Sequence, residues 1–111
     1  MKIVNPSVEL DIEKKVLINL NLGSGVYHKS DYYSLDHLPL EGVDILADLN
    51  ESLTLLPDNC VRKVFSHHVL EHVENFIPFM GELHRVVKSD GVIEIVVPHF
   101  SNVYSFSDPT H

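Results

Sequence analysis

The chain is poor in three things, and each shortage closes a class of function. It has a single cysteine, Cys60, which excludes an internal disulfide framework and a thiolate zinc site. Nothing beside Cys60 marks it as an activated nucleophile, so it reads as a small packed side chain. No apolar run approaches the roughly 18 residues needed to cross a bilayer. The opening residues, MKIVNPSVELDIEKK, carry Glu and Asp where a signal peptide needs an apolar stretch, so a cytoplasmic protein without membrane contact is the expectation. Basic charge is also scarce. Eight Lys and Arg face 16 Asp and Glu, a net charge of −8, which argues against clamping nucleic acid or an anionic membrane over a broad surface.

What is present is ordinary for a globular domain: 111 residues, 44% hydrophobic and 22% charged. There is no repeat and no Gly/Ser linker, so residues 1–111 read as one domain. Residues 1–13 form a lead-in in which Pro6 interrupts any early strand, and residues 101–111 form an irregular tail. The eight His, as many as Lys and Arg together, are the compositional oddity.

Five short apolar, β-branched runs predict strands at Val16–Leu20, Tyr32–Leu35, Val43–Ala47, Val61–Ser66 and Val92–Val97. Phe76, Phe79, Met80, Leu83 and Val87 fall on one stripe at helical spacing, predicting a helix from Phe76 to Val87. Asn75 stands at its cap and Gly91 at its stop. A further helical turn or two is expected within Val69–Val73. Strands separated by loops and a helix, without Asn-Gly hairpin turns, predict a parallel α/β sheet. Ligands of such sheets sit at the carboxyl ends of the strands. The residues there are Asn21–Gly25, Asp36 and His37, Asp48 and Leu49, Ser66 to His68, and His99.

The Gly23-Ser24-Gly25 loop lacks a third glycine, since position 28 is His, and it is no phosphate-cradling loop. Asp36, at the end of the next strand, is placed as nucleotide sites place the carboxylate that accepts two ribose hydroxyls. It follows Gly23 by only 13 residues, so an intervening helix must be trimmed or absent.

Taken in order, LNLGSG, YSLDH, VDILADLNE and FSHHVLEHVENFIPFMGELHRVVKSDGVIEIVVPH resemble a small class I S-adenosylmethionine-dependent methyltransferase of the type 11 kind. The likeness runs from about Lys15 to the terminal DPTH. It implies a Rossmann-like, mostly parallel sheet of which this sequence supplies five of seven strands. It also implies S-adenosylmethionine as cofactor. Asn21, Gly23, Ser24 and Gly25 would line the methionine part, with Asn21 standing where an acidic residue is frequent. Asp36 and the adjacent His37 would lie at the ribose, and Asp48 and Leu49 would flank the adenine. Ser66 and His67 would sit near the transferred methyl. No catalytic base is implied. His99 and Tyr104 are candidates on the acceptor side, and the acceptor, small or macromolecular, is not named by the sequence.

Two other readings compete. His68, Glu71 and His72 fit the H-x-x-E-H pattern of a zinc peptidase. That pattern needs a third ligand well downstream, and the remaining residues are already allotted to a helix and a strand, so no metal is expected. The chain could alternatively be a non-catalytic cofactor-binding or assembly module. An open sheet edge would then favour a homodimer or a partner chain.

Overall fold

In the computed structural model the described residues are 1–23, 29–67, 76–97 and 100–105. They form one sheet of seven strands in the order β1-β4-β3-β2-β5-β6-β7. Its strands are β1 (Lys2–Ile3), β2 (Ile18–Leu22), β3 (Tyr33–Asp36), β4 (Ile45–Leu46), β5 (Val61–His67), β6 (Val87–Val97) and β7 (Phe100–Ser105). The five inner strands, β4-β3-β2-β5-β6, are mutually parallel and correspond one to one with the five runs read from sequence. The two outer strands, β1 on β4 and β7 on β6, are antiparallel. A Rossmann-like, mostly parallel sheet is therefore what the chain builds, with an antiparallel strand added at each edge.

Both ends of the sequence are more regular than expected. Residues Pro6–Glu13 form helix α1. Pro6 starts this helix instead of breaking a strand: its missing N–H is harmless in the first turn, and the Asn5 side chain accepts from the Ser7 N–H at 3.0 Å. The helix closes without glycine. Lys15 takes the left-handed conformation, φ 59°, and its N–H donates to Ile12 O while the Val16 N–H donates to Asp11 O. This explains why the first inner strand begins at Ile18 and not at Val16, which is half exposed within the turn. The expected irregular tail is likewise a strand as far as Ser105, since β7 folds straight back on β6.

Helix α2 covers Phe76–Val86. Phe79, Leu83 and Val86 are buried, and Met80 packs beside them, as the stripe requires. Gly91 does not stop this helix. The chain enters β6 directly at Val87, and Gly91 lies inside that strand, where the register against β5 jumps from Val61↔Val87 to Lys63↔Val92. A Cβ on Gly91 would stand 2.4 Å from Val87 Cγ1 and 2.7 Å from the Arg62 carbonyl oxygen, so only glycine fits this bulge. The expected turn at Val69–Val73 lies outside the described residues.

One face of the sheet is apolar. Ile18, Leu20, Leu22, Leu35, Ile45, Val64, Ile93 and Ile95 are buried and form one core with Val8 of α1 and with Phe79, Leu83 and Val86 of α2. The cross-strand row one residue away is polar. Asn21 pairs with Ser34 and with Phe65, and Phe65 pairs with Glu94. Residues directly opposite share a face, so the second face carries amide, hydroxyl and carboxylate groups where a doubly covered sheet would be aliphatic.

Candidate functional site

Parallel pairing aligns the carboxyl ends of the inner strands. Leu22 stands opposite both Leu35 and Ser66. One residue further on, Gly23, Asp36 and His67 therefore come together, and Asp36 is itself paired with Leu46 at the end of β4. The sheet thus gathers at one end the positions that are scattered through the sequence.

Gly23 has φ 62°, a conformation that costs a residue with a side chain about 1–2 kcal/mol, and its N–H donates to Leu35 O at 2.8 Å. The glycine turns the chain off the sheet at the point where a ligand would meet bare backbone. Ser24 and Gly25 lie outside the described residues.

Asp36 is 6% exposed, unusual for a carboxylate. Its Oδ1 accepts the Leu38 N–H at 3.1 Å and lies 3.3 Å from Nδ1 of the exposed His37. Its backbone oxygen accepts the Ala47 N–H, which pins β3 to β4. Asp48 is exposed and its Oδ1 accepts the Asn50 N–H at 2.9 Å, closing a local turn just beyond β4. Leu49 is half-buried against the core.

Ser66 is 1% exposed, and its Oγ has no hydrogen-bond partner among the described residues. A buried hydroxyl left unsatisfied costs about 1–3 kcal/mol, so an orphan at the end of a central strand calls for an explanation. Asn21 is also buried, on the opposite face from Ser66, beside Ser34. His67 closes β5. The acceptor-side candidate His99 lies outside the described residues, and Tyr104 falls within β7.

Two parts of the site were not visible in sequence. Lys29, four residues before β3, holds its ammonium 4.6 Å from the centre of the Phe65 ring and 5.4 Å from that of Tyr32. Burial, with the nearby Glu94 charge, raises the Tyr32 phenol above its ordinary value. The second part is a bracket on the loop after Asp48. Arg85 donates to Leu53 O at 3.0 Å and Leu56 O at 2.9 Å, and pairs with Glu82 at 2.6 Å. Glu82 in turn accepts the Leu53 N–H at 3.1 Å. The Arg85 hydrogen bond holds the Glu82 carboxyl below the usual range. An i,i+3 Glu–Arg pair is legible on a helix, but the loop it grips is not.

Cys60 is half-buried against the core, and burial pushes its thiol up to about 11, so it is protonated at neutral pH and unsuited to nucleophilic work. His68, Glu71 and His72 lie outside the described residues. Among the described residues no three His, Cys, Asp or Glu are grouped as metal ligands, and no helix is long and apolar enough to cross a membrane. Two clefts formed by described residues lie away from the carboxyl ends of the strands. One, of about 250 Å³, has Asp11, Asn19 and Tyr33 in its wall, and the other, of about 730 Å³, has Met1, Ile12 and Leu55.

The sequence profile of a methyltransferase domain family matches residues 8–95, most of the chain. The protein belongs to that family, the class I S-adenosylmethionine-dependent methyltransferases. Solved structures agree on the fold of this methyltransferase domain. An S-adenosylmethionine-dependent methyltransferase of Aquifex aeolicus is 20% identical, with TM-score 0.54, over 78% of this chain and 61% of that one. Another, from Mesorhizobium loti, is 20% identical, with TM-score 0.55, over 71% of this chain and 45% of its own. The trans-methyltransferase CalH, solved in complex with SAH, is 12% identical, with TM-score 0.57, over 71% of this chain and 31% of its own. The chain thus spans less than two thirds of the length of each. No curated protein matches it in sequence.

Proposed function

We propose that this methyltransferase domain binds S-adenosylmethionine at the carboxyl ends of β2 to β5 and presents its methyl group to an acceptor. The observation that carries the reading is the buried Asp36 carboxylate, set in the same cross-strand row as the left-handed Gly23 and one row beyond the orphaned Ser66 hydroxyl. These residues fit the ligand. A carboxylate has roughly four acceptor positions. Asp36 accepts the Leu38 N–H, and its buried carboxylate stands at the strand end where vicinal hydroxyls would be received. Gly23 lets the backbone approach closely, and Ser66 supplies a buried hydroxyl that gains by meeting a polar group.

When bound, S-adenosylmethionine supplies a methyl group on a positively charged sulfur, whose departure needs no protonation. The chain's task is then to hold and orient the ligand and to exclude water. Gly23, Ser24 and Gly25 border the methionine part, together with Asn21. Asp36, and beside it His37, fix the ribose. Asp48 and Leu49, on the loop bracketed by Arg85, flank the adenine, while Ser66 and His67 stand toward the methyl. No residue acts as a base in this scheme.

Calorimetric titration with S-adenosylmethionine and S-adenosylhomocysteine tests the reading. One site per chain is expected, and Asp36→Ala should weaken it by at least about tenfold, the loss of one charged hydrogen-bonded pair. Unchanged binding in Asp36→Ala removes the ribose assignment. No binding at millimolar ligand removes the function.

A further inference from the structure

The connection from β4 to β5, residues 47–60, crosses β3 and β2 and contains neither helix nor strand. Crossovers between parallel strands are usually helices, which satisfy their own backbone groups. This one takes its partners from elsewhere. At its start the Ala47 N–H donates to Asp36 O at 2.9 Å. From Leu53 onward it is held by α2. Glu82 accepts the Leu53 N–H, Arg85 donates to Leu53 O and Leu56 O, and the Asn59 N–H donates to Arg85 O at 3.0 Å.

Between these anchors lies the stretch 48–52, in which Asp48 Oδ1 accepts the Asn50 N–H and Asp48 O accepts the Glu51 N–H at 3.0 Å. Such a turn is placed no better than its two ends. The first end is fixed by the strand that carries Asp36. At the second, Leu53 and Leu56 are each 1% exposed, but apolar burial has no direction and leaves the backbone free to rotate. Orientation comes from the guanidinium fork of Arg85, which meets both carbonyls while Glu82 holds it at 2.6 Å.

We propose, on the ligand placement given above, that Arg85 and Glu82 are positioning residues for the adenine. They act through the turn, holding Asp48 and Leu49 in the conformation that flanks the base, and not by contact with the ligand. Released at its Leu53 end, the turn has to be ordered afresh by each ligand that binds, and affinity falls. Ordering one backbone residue corresponds to about a tenfold loss. The ribose and methionine parts, held at Asp36 and Gly23, do not depend on this end of the loop.

The test is a titration of ¹⁵N-labelled Arg85→Met with S-adenosylhomocysteine, below the unfolding temperature of the variant. Affinity should fall about tenfold relative to wild type. At saturation the ligand-induced amide shifts at Gly23 and Asp36 should be kept, and those at Asp48 and Leu49 lost or broadened. Arg85→Lys keeps the charge without the fork and should not restore them. Should Arg85→Met fail to fold, Glu82→Gln serves instead, since it keeps an acceptor for Leu53 but frees the guanidinium, and the same amides should lose their shifts. Unchanged affinity in the folded variants overturns the proposal, as do shifts that weaken equally at all four residues, the result of a merely structural role. A wild-type protein that does not bind, or whose shifts spare Asp48 and Leu49, overturns the ligand placement itself.

Discussion

Replacing Arg85 with Met tests how the loop beyond Asp48 is held. Methionine keeps the apolar stem and removes the guanidinium. The loss comprises the bonds to Leu53 O and Leu56 O and the pair with Glu82. The pair with Asp58 counts for little, because the Asp58 side chain is 69% exposed. A hydrogen bond to a charged group contributes about 1.5–3 kcal/mol. A third of the Arg85 side chain is in solvent, which places its bonds at or below the bottom of that range. The three together come to about 3 kcal/mol, a large share of a domain's usual 5–15 kcal/mol. In thermal unfolding that is a fall in Tm of more than about 10 °C. Glu82→Gln, measured with Arg85→Met in a double-mutant cycle, should show coupling of about 0.5–3 kcal/mol. The acid side adds a sign. The Glu82 carboxyl is held low in the folded state, so its contribution is present above its unfolded value of about 4.3 and lost as pH falls through the lower folded one. Arg85→Met should flatten that acid limb. A loss under about 1 kcal/mol with an unchanged acid limb would refute the bracket.

Gly91→Ala should destabilise by about 1–3 kcal/mol, because the added methyl meets the Arg62 carbonyl oxygen and Val87 at under 3 Å; urea unfolding showing no change would mean that the β6 bulge is wrongly drawn. The Tyr33 phenol, half-buried and donating to Asp11 Oδ2 at 2.6 Å, is pushed up to about 12 by desolvation and by that hydrogen bond. Its contribution is present below pH 10 and is lost as pH rises through about 12. In an ultraviolet titration Tyr33→Phe should delete the latest-ionising phenol, and a wild-type protein whose four tyrosines all ionise near 10 would contradict this.

The inner sheet was legible because parallel strands buried on at least one face read as short aliphatic runs, and because the stripe of α2 has a single period. The edges were not. Pro6 has two meanings, strand breaker or helix starter, and only the Asn5 side chain on Ser7 decides between them. α1 ends at Glu13 and turns off through a left-handed Lys15, a residue that gives no stop signal, whereas Gly91 gives one and serves the β6 bulge instead. β7 carries no hairpin signature, since Pro98-His99 is not among the common two-residue turns. Among candidate site residues, Gly23 and Asp36 stood out because strand ends concentrate function. Lys29 and Arg85 act across 36 and 32 residues of sequence, on Phe65 and on Leu53, and no local pattern announces such partners.

The most direct test of the central claim is where S-adenosylhomocysteine moves backbone amide resonances in the ¹⁵N-labelled protein. The account predicts shifts at Gly23, Asp36, His37, Asp48, Leu49 and Ser66, with the Asp11 and Tyr33 end of the sheet unmoved. Shifts centred on Asp11 and Tyr33, or none at saturating ligand, would contradict it.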